Sequence, residues 1–215
     1  MTQASFSTED FLSAALGTYA TSSAGTGAQV AQAGSLIATN RWGIVATSTG
    51  TTTTGRGSAT AGFLKLGDGS LIYQADIYLP DLSTVTEEFI HIQGIADNST
   101  VSTEPTEGFW FEYDRLTSTN WIVRNGNGTT TTSTTTSTAV VEDAWINLKA
   151  VIAADNSEIE FFIDNVSVAT HTTNLSTGAG NVRPFFKTVK SAGTTARAVH
   201  VDYTYYSTQF NTARS

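Results

Sequence analysis

Glu112-Tyr113-Asp114 is the stretch of this chain that comes nearest to a catalytic arrangement. Hydrolysis of a glycosidic bond needs two carboxyl groups across a cleft, about 5–5.5 Å apart for retention and about 6.5–9.5 Å for inversion. Acidic residues at i and i+2 on a strand face the same side, as such a pair must. Glu158-Ile159-Glu160 repeats the spacing. The same alternation puts Phe111, Tyr113, Ile159 and Phe161 on the opposite faces, so both pairs equally describe a solvated face over an apolar one. No Glu-x-Asp-x-x-Glu run occurs. His200 precedes Asp202 by two residues, which would share a strand face, but no Gly-x-Ser-x-Gly elbow accompanies them. His91, His171 and His200 are the only histidines, at separations that specify no metal site. Asp97-Asn98 with Glu104, and Asp155-Asn156 with Glu158, could lend oxygens to calcium, yet such residues more simply mark turns. The residues therefore assign no catalytic group, no metal and no cofactor. The expectation is a non-enzyme, with a polysaccharide lyase or hydrolase as an alternative.

Aromatic rings are the other candidate. Trp42, Trp110, Trp121 and Trp145, with Tyr203, Tyr205 and Tyr206, could stack on sugar rings. Most are expected in a core. Trp121 and Tyr206 are singled out as an exposed carbohydrate-binding platform.

Strands must carry all of these side chains. Short aromatic and β-branched runs recur, cut by Asn, Gly, Asp and Ser, as in an all-β sandwich. The spacing predicts strands over 42–47, 71–79, 88–95, 109–114, 120–124, 145–152, 158–163, 166–171, 185–189 and 197–206. Period two is clearest over 71–79, with Leu71, Tyr73, Ala75, Ile77 and Leu79 on one face. Gly67-Asp68-Gly69 predicts a hairpin between 63–66 and that strand. The Thr/Ser run 129–138 reads as a solvated strand. Residues 1–35 are expected to form an N-terminal arm, with a short helix capped at Ser7 or Thr8. Phe6, Phe11, Leu12 and Leu16 would line one side of it. Residues 36–215 would form one sandwich domain.

Composition narrows the partners. Charged residues make up 14% of the 215, below the roughly 25% of an ordinary soluble domain. A net charge of −8 with scattered Lys and Arg speaks against nucleic acid. The chain has no cysteine, so no disulfide, thiolate metal site or Cys nucleophile is available. No apolar run approaches about 18 residues, and the first residues do not read as a secretion signal. No membrane partner is expected.

The succession Trp42-Gly43-Ile44-Val45, Gly108-Phe109-Trp110-Phe111-Glu112-Tyr113-Asp114, Asn120-Trp121, Trp145-Ile146-Asn147-Leu148, Phe161-Phe162-Ile163-Asp164-Asn165, Thr170-His171-Thr172-Thr173-Asn174-Leu175 and Val201-Asp202-Tyr203 resembles a concanavalin A-like (laminin G-like) jelly roll. In particular it resembles the version in virion proteins of tailed bacteriophages, over about residues 36–207. The resemblance implies a two-sheet antiparallel jelly-roll sandwich located on a virion. The lectin and glucanase motifs of that fold are missing, so no site residue carries over. The expected role is a head decoration (cement) protein. It would bind the major capsid protein or another virion protein as a homo-oligomer on the particle, using Phe6, Phe11, Leu12 and Leu16. The alternative is a receptor-recognition component of the tail that binds a glycan.

Overall fold

The computed structural model describes residues 4–10, 19–24, 29–31, 44–48, 55–60, 64–97, 103–176 and 182–210. Among these residues fifteen strands form two antiparallel sheets, and no helix is present. The first sheet has eight strands. Its order is β13 (Val166–His171), β12 (Ile159–Ile163), β11 (Trp145–Ile152), β6 (Gly69–Tyr78), β15 (Arg197–Phe210), β4 (Ile44–Ser48) and β3 (Gln29–Ala31), with β1 (Ala4–Asp10) also on β15. The second has seven, in the order β10 (Thr131–Ala139), β9 (Asn120–Asn127), β8 (Glu107–Asp114), β7 (Glu88–Ala96), β14 (Arg183–Ala192), β5 (Gly55–Thr60) and β2 (Tyr19–Ala24). The expected sandwich is what forms.

The period-two faces meet in one core. Tyr73, Ala75 and Ile77 of β6, Leu148 and Ala150 of β11 and Phe161 of β12 come from one side. Phe109, Phe111 and Tyr113 of β8, Trp121 and Val123 of β9 and Phe186 of β14 come from the other. Phe161 lies at the junction, its ring centroid 5.5 Å from Phe111, 6.4 Å from Phe109 and 5.1 Å from His171, all edge-on. Edge-to-face contacts of this kind add to area burial and fix ring orientation. Within the same alternation as Phe89 and Ile95, β7 also buries two polar side chains, His91 and Gln93. The imidazole Nδ1 lies 3.0 Å from the Thr188 hydroxyl and Nε2 lies 3.2 Å from Gln93 Oε1. Burial pushes the His91 pKa down to about 4.

Three local expectations need correction. Residues 4–10 are strand, not the start of a helix: Ser7 pairs with Tyr206 and Asp10 with Tyr203. The open edge of β15 pairs with seven residues in register, and the ladder hydrogen bonds this supplies outweigh a local N-cap. The Gly67-Asp68-Gly69 turn closes no hairpin. Leu64 bridges Val182 beside β14, while β6 pairs with β11 and β15, so the turn carries the chain from one sheet to the other. The segment read as an arm contributes β1, β2 and β3, which pair with β15, β5 and β4 in both sheets. The Thr-rich run is β10, as expected, with Thr136 buried and its neighbours alternately exposed.

Two stability measurements test this core. Phe161→Ala should lower unfolding free energy by about 3–5 kcal/mol in urea titrations, the range for losing a buried ring; a loss under about 1 kcal/mol would contradict its junction role. The second concerns pH. His91 is held uncharged in the fold, so the unfolded chain takes up its proton first on acidification. The associated stability is complete above pH 6.5 and is lost as pH falls toward 4, a change on the order of 3 kcal/mol. His91→Gln should flatten that part of the stability–pH curve; an unaltered curve would show that His91 does not set it.

Candidate functional site

The outward face of the seven-stranded sheet holds the first candidate. β7 and β8 are buried almost throughout, on both faces. Register aligns Lys187, Ile92, Glu112 and Ile122 in one row, and Phe185, Gly94, Trp110 and Arg124 in the next. Gly94 places bare backbone between the two aromatic residues, and Ile92, Ala96, Trp110 and Phe185 pack as a second apolar cluster. An added Cβ at Gly94 would lie 2.3 Å from the Phe109 carbonyl oxygen.

Charged groups are enclosed here too. Arg124 donates to Glu112 Oε1 at 2.9 Å. Burial pushes the Glu112 carboxyl up, and the Arg124 charge opposes the shift. Lys187, 1% exposed, donates to the Thr103 carbonyl at 2.7 Å and lies 3.7 Å from Glu104. Burial pulls its ammonium down, opposed by the Glu104 and Glu112 carboxylates. The face expected to be solvated at Glu112 is therefore covered.

Most of the acidic residues considered as pairs are engaged by local structure. Asp114 accepts the Leu116 N–H at 3.0 Å and the Thr117 hydroxyl at 2.7 Å, so it ties the turn after β8. Glu160 accepts the Ser167 hydroxyl at 2.6 Å, and Glu158 lies exposed before β12. A register shift between Val201 and Tyr203 makes Asp202 the extra residue of a bulge, which breaks the shared-face relation to His200. Asp97 accepts the N–H groups of Thr106 and Glu107 and the Thr106 hydroxyl. Asp155 accepts the Ser157 N–H. Among the described residues no group of three or more metal-ligating side chains converges.

The second candidate lies on the outward face of the eight-stranded sheet. It is an open pocket of about 260 Å³ lined by Gln74, Asp76, Trp145, Ile146, Asn147, Asp164 and Asn165. β6 and β11 build it. Trp145 pairs with Tyr78, Asn147 with Asp76 and Lys149 with Gln74, so their outward positions form a ladder of three rungs. The Tyr78 and Trp145 rings lie 5.5 Å apart, and the His200 ring lies 5.4 Å from Tyr78, tilted by 40°. The Tyr78 hydroxyl donates to Asp143 at 2.8 Å, and that bond raises its pKa. Asn147 Nδ2 donates to Asp76 Oδ1 at 2.5 Å, while Asn147 Oδ1 finds no donor among the described residues. Asp164 and Asn165, both at positive φ (50° and 64°), make the tight turn of the pocket rim. Asp164 Oδ1 accepts the Asn147 N–H at 2.9 Å, and its own N–H returns to the Asn147 carbonyl at 2.8 Å.

The residues expected to bind sugar are not in this pocket. Trp121 is fully buried in the core, tilted against Tyr113 at 6.4 Å. Tyr206 pairs with Tyr73 and packs on the core. Both occupy the inward phase of their strands. Phe6 falls in β1, while Phe11, Leu12, Leu16 and Trp42 lie outside the described residues. The pocket residues were missed because their meeting depends on the β6–β11 register, although Trp145 was among the rings considered.

The family profile of the SO2946-like C-terminal domain matches residues 40–202. The chain belongs to this family. The SO2946-like fold is shared with solved structures at low identity. A protein of unknown function, SO2946 from Shewanella oneidensis, superposes with TM-score 0.66 at 14% identity, covering 100% of this chain and 90% of its own. The carbohydrate recognition domain of Emp47p gives 0.59 at 10% identity, covering 95% and 94%. A Bacteroides ovatus mixed-linkage-glucan hydrolase of glycoside hydrolase family 16 gives 0.63 at 8% identity, covering 93% and 98%. At these identities the likeness is one of fold: a concanavalin A-like jelly roll found in both lectins and glycosidases. No curated protein matches the chain by sequence.

The Glu112–Arg124 pair offers a direct test of the covered face. Arg124→Met should cost about 3 kcal/mol, because it strands a carboxyl that is 4% exposed. Adding Glu112→Gln should restore more than half of the loss. A double variant no more stable than the single one would show that the two side chains are not coupled.

Proposed function

We propose that the protein binds a carbohydrate chain on the outward face of its eight-stranded sheet and does not cleave it. The observation that carries this reading is the open pocket in which Trp145, backed by Tyr78, stands beside Asp76, Asn147, Gln74 and Asp164. An aromatic ring offers an apolar face to the C–H side of a sugar, and carboxylate and amide groups take its hydroxyls in pairs. Rigid strands hold both sets, which keeps the ordering cost of binding low. The shared fold of a carbohydrate recognition domain and a glucan hydrolase supports the substrate class. The binding-only reading draws on the engagement of Asp114, Glu112 and Glu160 in structural contacts.

The virion-decoration reading rested on a resemblance to virion proteins of tailed bacteriophages, with Phe6, Phe11, Leu12 and Leu16 as its candidate contacts, and neither the pocket nor the family match lends it support. The glycan alternative keeps its chemistry and changes its residues, from Trp121 and Tyr206 to Trp145 and Tyr78.

Affinity electrophoresis against a panel of soluble polysaccharides checks this. At least one should retard the protein, and Trp145→Ala should weaken that interaction about tenfold, the loss of one aromatic contact, with an unchanged far-UV spectrum. Equal retardation of the variant, or no retardation by any polysaccharide, would overturn the proposal.

A further inference from the structure

We propose that Thr134 is the nucleophile of an acyl-transfer site that accepts carboxylic esters, with His171 as its base. The site is independent of the carbohydrate pocket: it joins the end strands of the two sheets, β10 carrying Thr134 and β13 carrying His171. The Thr134 hydroxyl lies 2.8 Å from His171 Nε2, and His171 Nδ1 lies 2.6 Å from Asn125 Oδ1.

Asn125 decides where the protons sit. Its amide nitrogen donates to the Thr173 and Asn174 carbonyls at 2.9 and 2.8 Å, which leaves the oxygen facing the imidazole. That oxygen only accepts, so Nδ1 carries the ring proton and the bare Nε2 accepts from the Thr134 hydroxyl. Burial pulls the His171 pKa down, so the ring is unprotonated at neutral pH. A hydroxyl, a base that accepts from it and a third group that orients the base together activate a nucleophile. His91 lacks two of these conditions. Its hydroxyl partner Thr188 is fully buried, and Gln93 Nε2 has no partner to hold the amide. Thr134 is half-buried on an edge strand.

β10 also offers donors for the charge that develops on the ester oxygen. The Asn127 N–H bonds to the Thr130 carbonyl, and antiparallel pairs alternate between bonded and non-bonded. The register sets Thr134 opposite Val123 and Thr135 opposite Ile122. The Ser133 and Thr135 N–H groups therefore point off the open edge. The amide that follows a nucleophile is suited to hold an oxyanion, and here it belongs to Thr135. Thr134 Oγ1 attacks the carbonyl carbon and its proton passes to His171 Nε2. The C–O bond to the alcohol breaks, and the alcohol leaves with that proton. Water, deprotonated by the same nitrogen, then releases the acid and restores the hydroxyl.

Two probes at neutral pH test this. p-Nitrophenyl acetate reports turnover through nitrophenolate release. An alkyl fluorophosphonate traps an activated hydroxyl as a stable ester, mapped by peptide mass spectrometry. Thr131, Ser133 and Thr135 are exposed on the same strand without an imidazole, so they are internal controls. The label should fall on Thr134 and not on them. His171→Gln should slow both reactions at least about 100-fold, the usual contribution of a positioned general base. Thr134→Val, which keeps the side-chain shape, should abolish both, and Thr134→Ser should keep them. Asn125→Asp retains an oxygen facing Nδ1 and should keep the labelling that Asn125→Ala loses. Nitrophenolate release unchanged in Thr134→Val would overturn the proposal. So would a label absent from Thr134 or spread equally over the neighbouring hydroxyls.

Discussion

Phe161 sets the face-to-face relation of the two sheets, and the outward surfaces depend on that relation. Its ring fits edge-on among Phe109, Phe111 and His171, so β12 can occupy only one register against β11. β11 in turn fixes β6, with Ala150 opposite Tyr73 and Leu148 opposite Ala75. A slip of one residue would exchange inward for outward positions along a whole strand. It would bury Asp76 and Asn147 and expose Ile77 and Leu148. The pocket is thus the reverse side of the core: its polar groups are aligned because the apolar ones beneath them have to be.

Much of this could be read along the chain. The alternation over 71–79 located the inward residues of β6 correctly, and Asp164-Asn165 makes a turn because both residues adopt left-handed backbone. Three features could not be read locally. Asp202 occupies a bulge that only pairing with β6 reveals. The Asp68-Gly69 turn has hairpin chemistry, but the strand on one side of it belongs to the other sheet. Residues 4–10 have both a helix cap and strand propensity, and the edge of β15 decides between them.

The burial of Glu112 did have a signal. Phe89-Ile90-His91-Ile92 and Phe109-Trp110-Phe111 do not alternate, and continuous apolar runs mark strands covered on both faces. Glu112 lies within such a strand and is neutralised by Arg124 rather than by water. Lys187 is held in the same way by Thr103 and Glu104. An isolated charge at such depth would cost several kcal/mol, so each must have a partner, and a partnered carboxylate is a poor nucleophile.

The distribution of carboxyl groups between the two faces bears on binding versus catalysis. A general acid needs a carboxyl that stays protonated near neutral pH, which burial can provide. Glu112 is pushed in that direction, but it lies under cover on the seven-stranded sheet. The pocket on the eight-stranded sheet has room for a ligand, and its two carboxylates accept hydrogen bonds from within the fold. Asp164 is at an exposed turn and accepts a backbone N–H, and Asp76 accepts from an amide donor. The buried Glu112 carboxyl and the space open to a ligand are on opposite sides of a sandwich whose stacked sheets lie about 10 Å apart. A single glycosidic bond cannot reach both, which supports the proposed reading of the pocket as a recognition site.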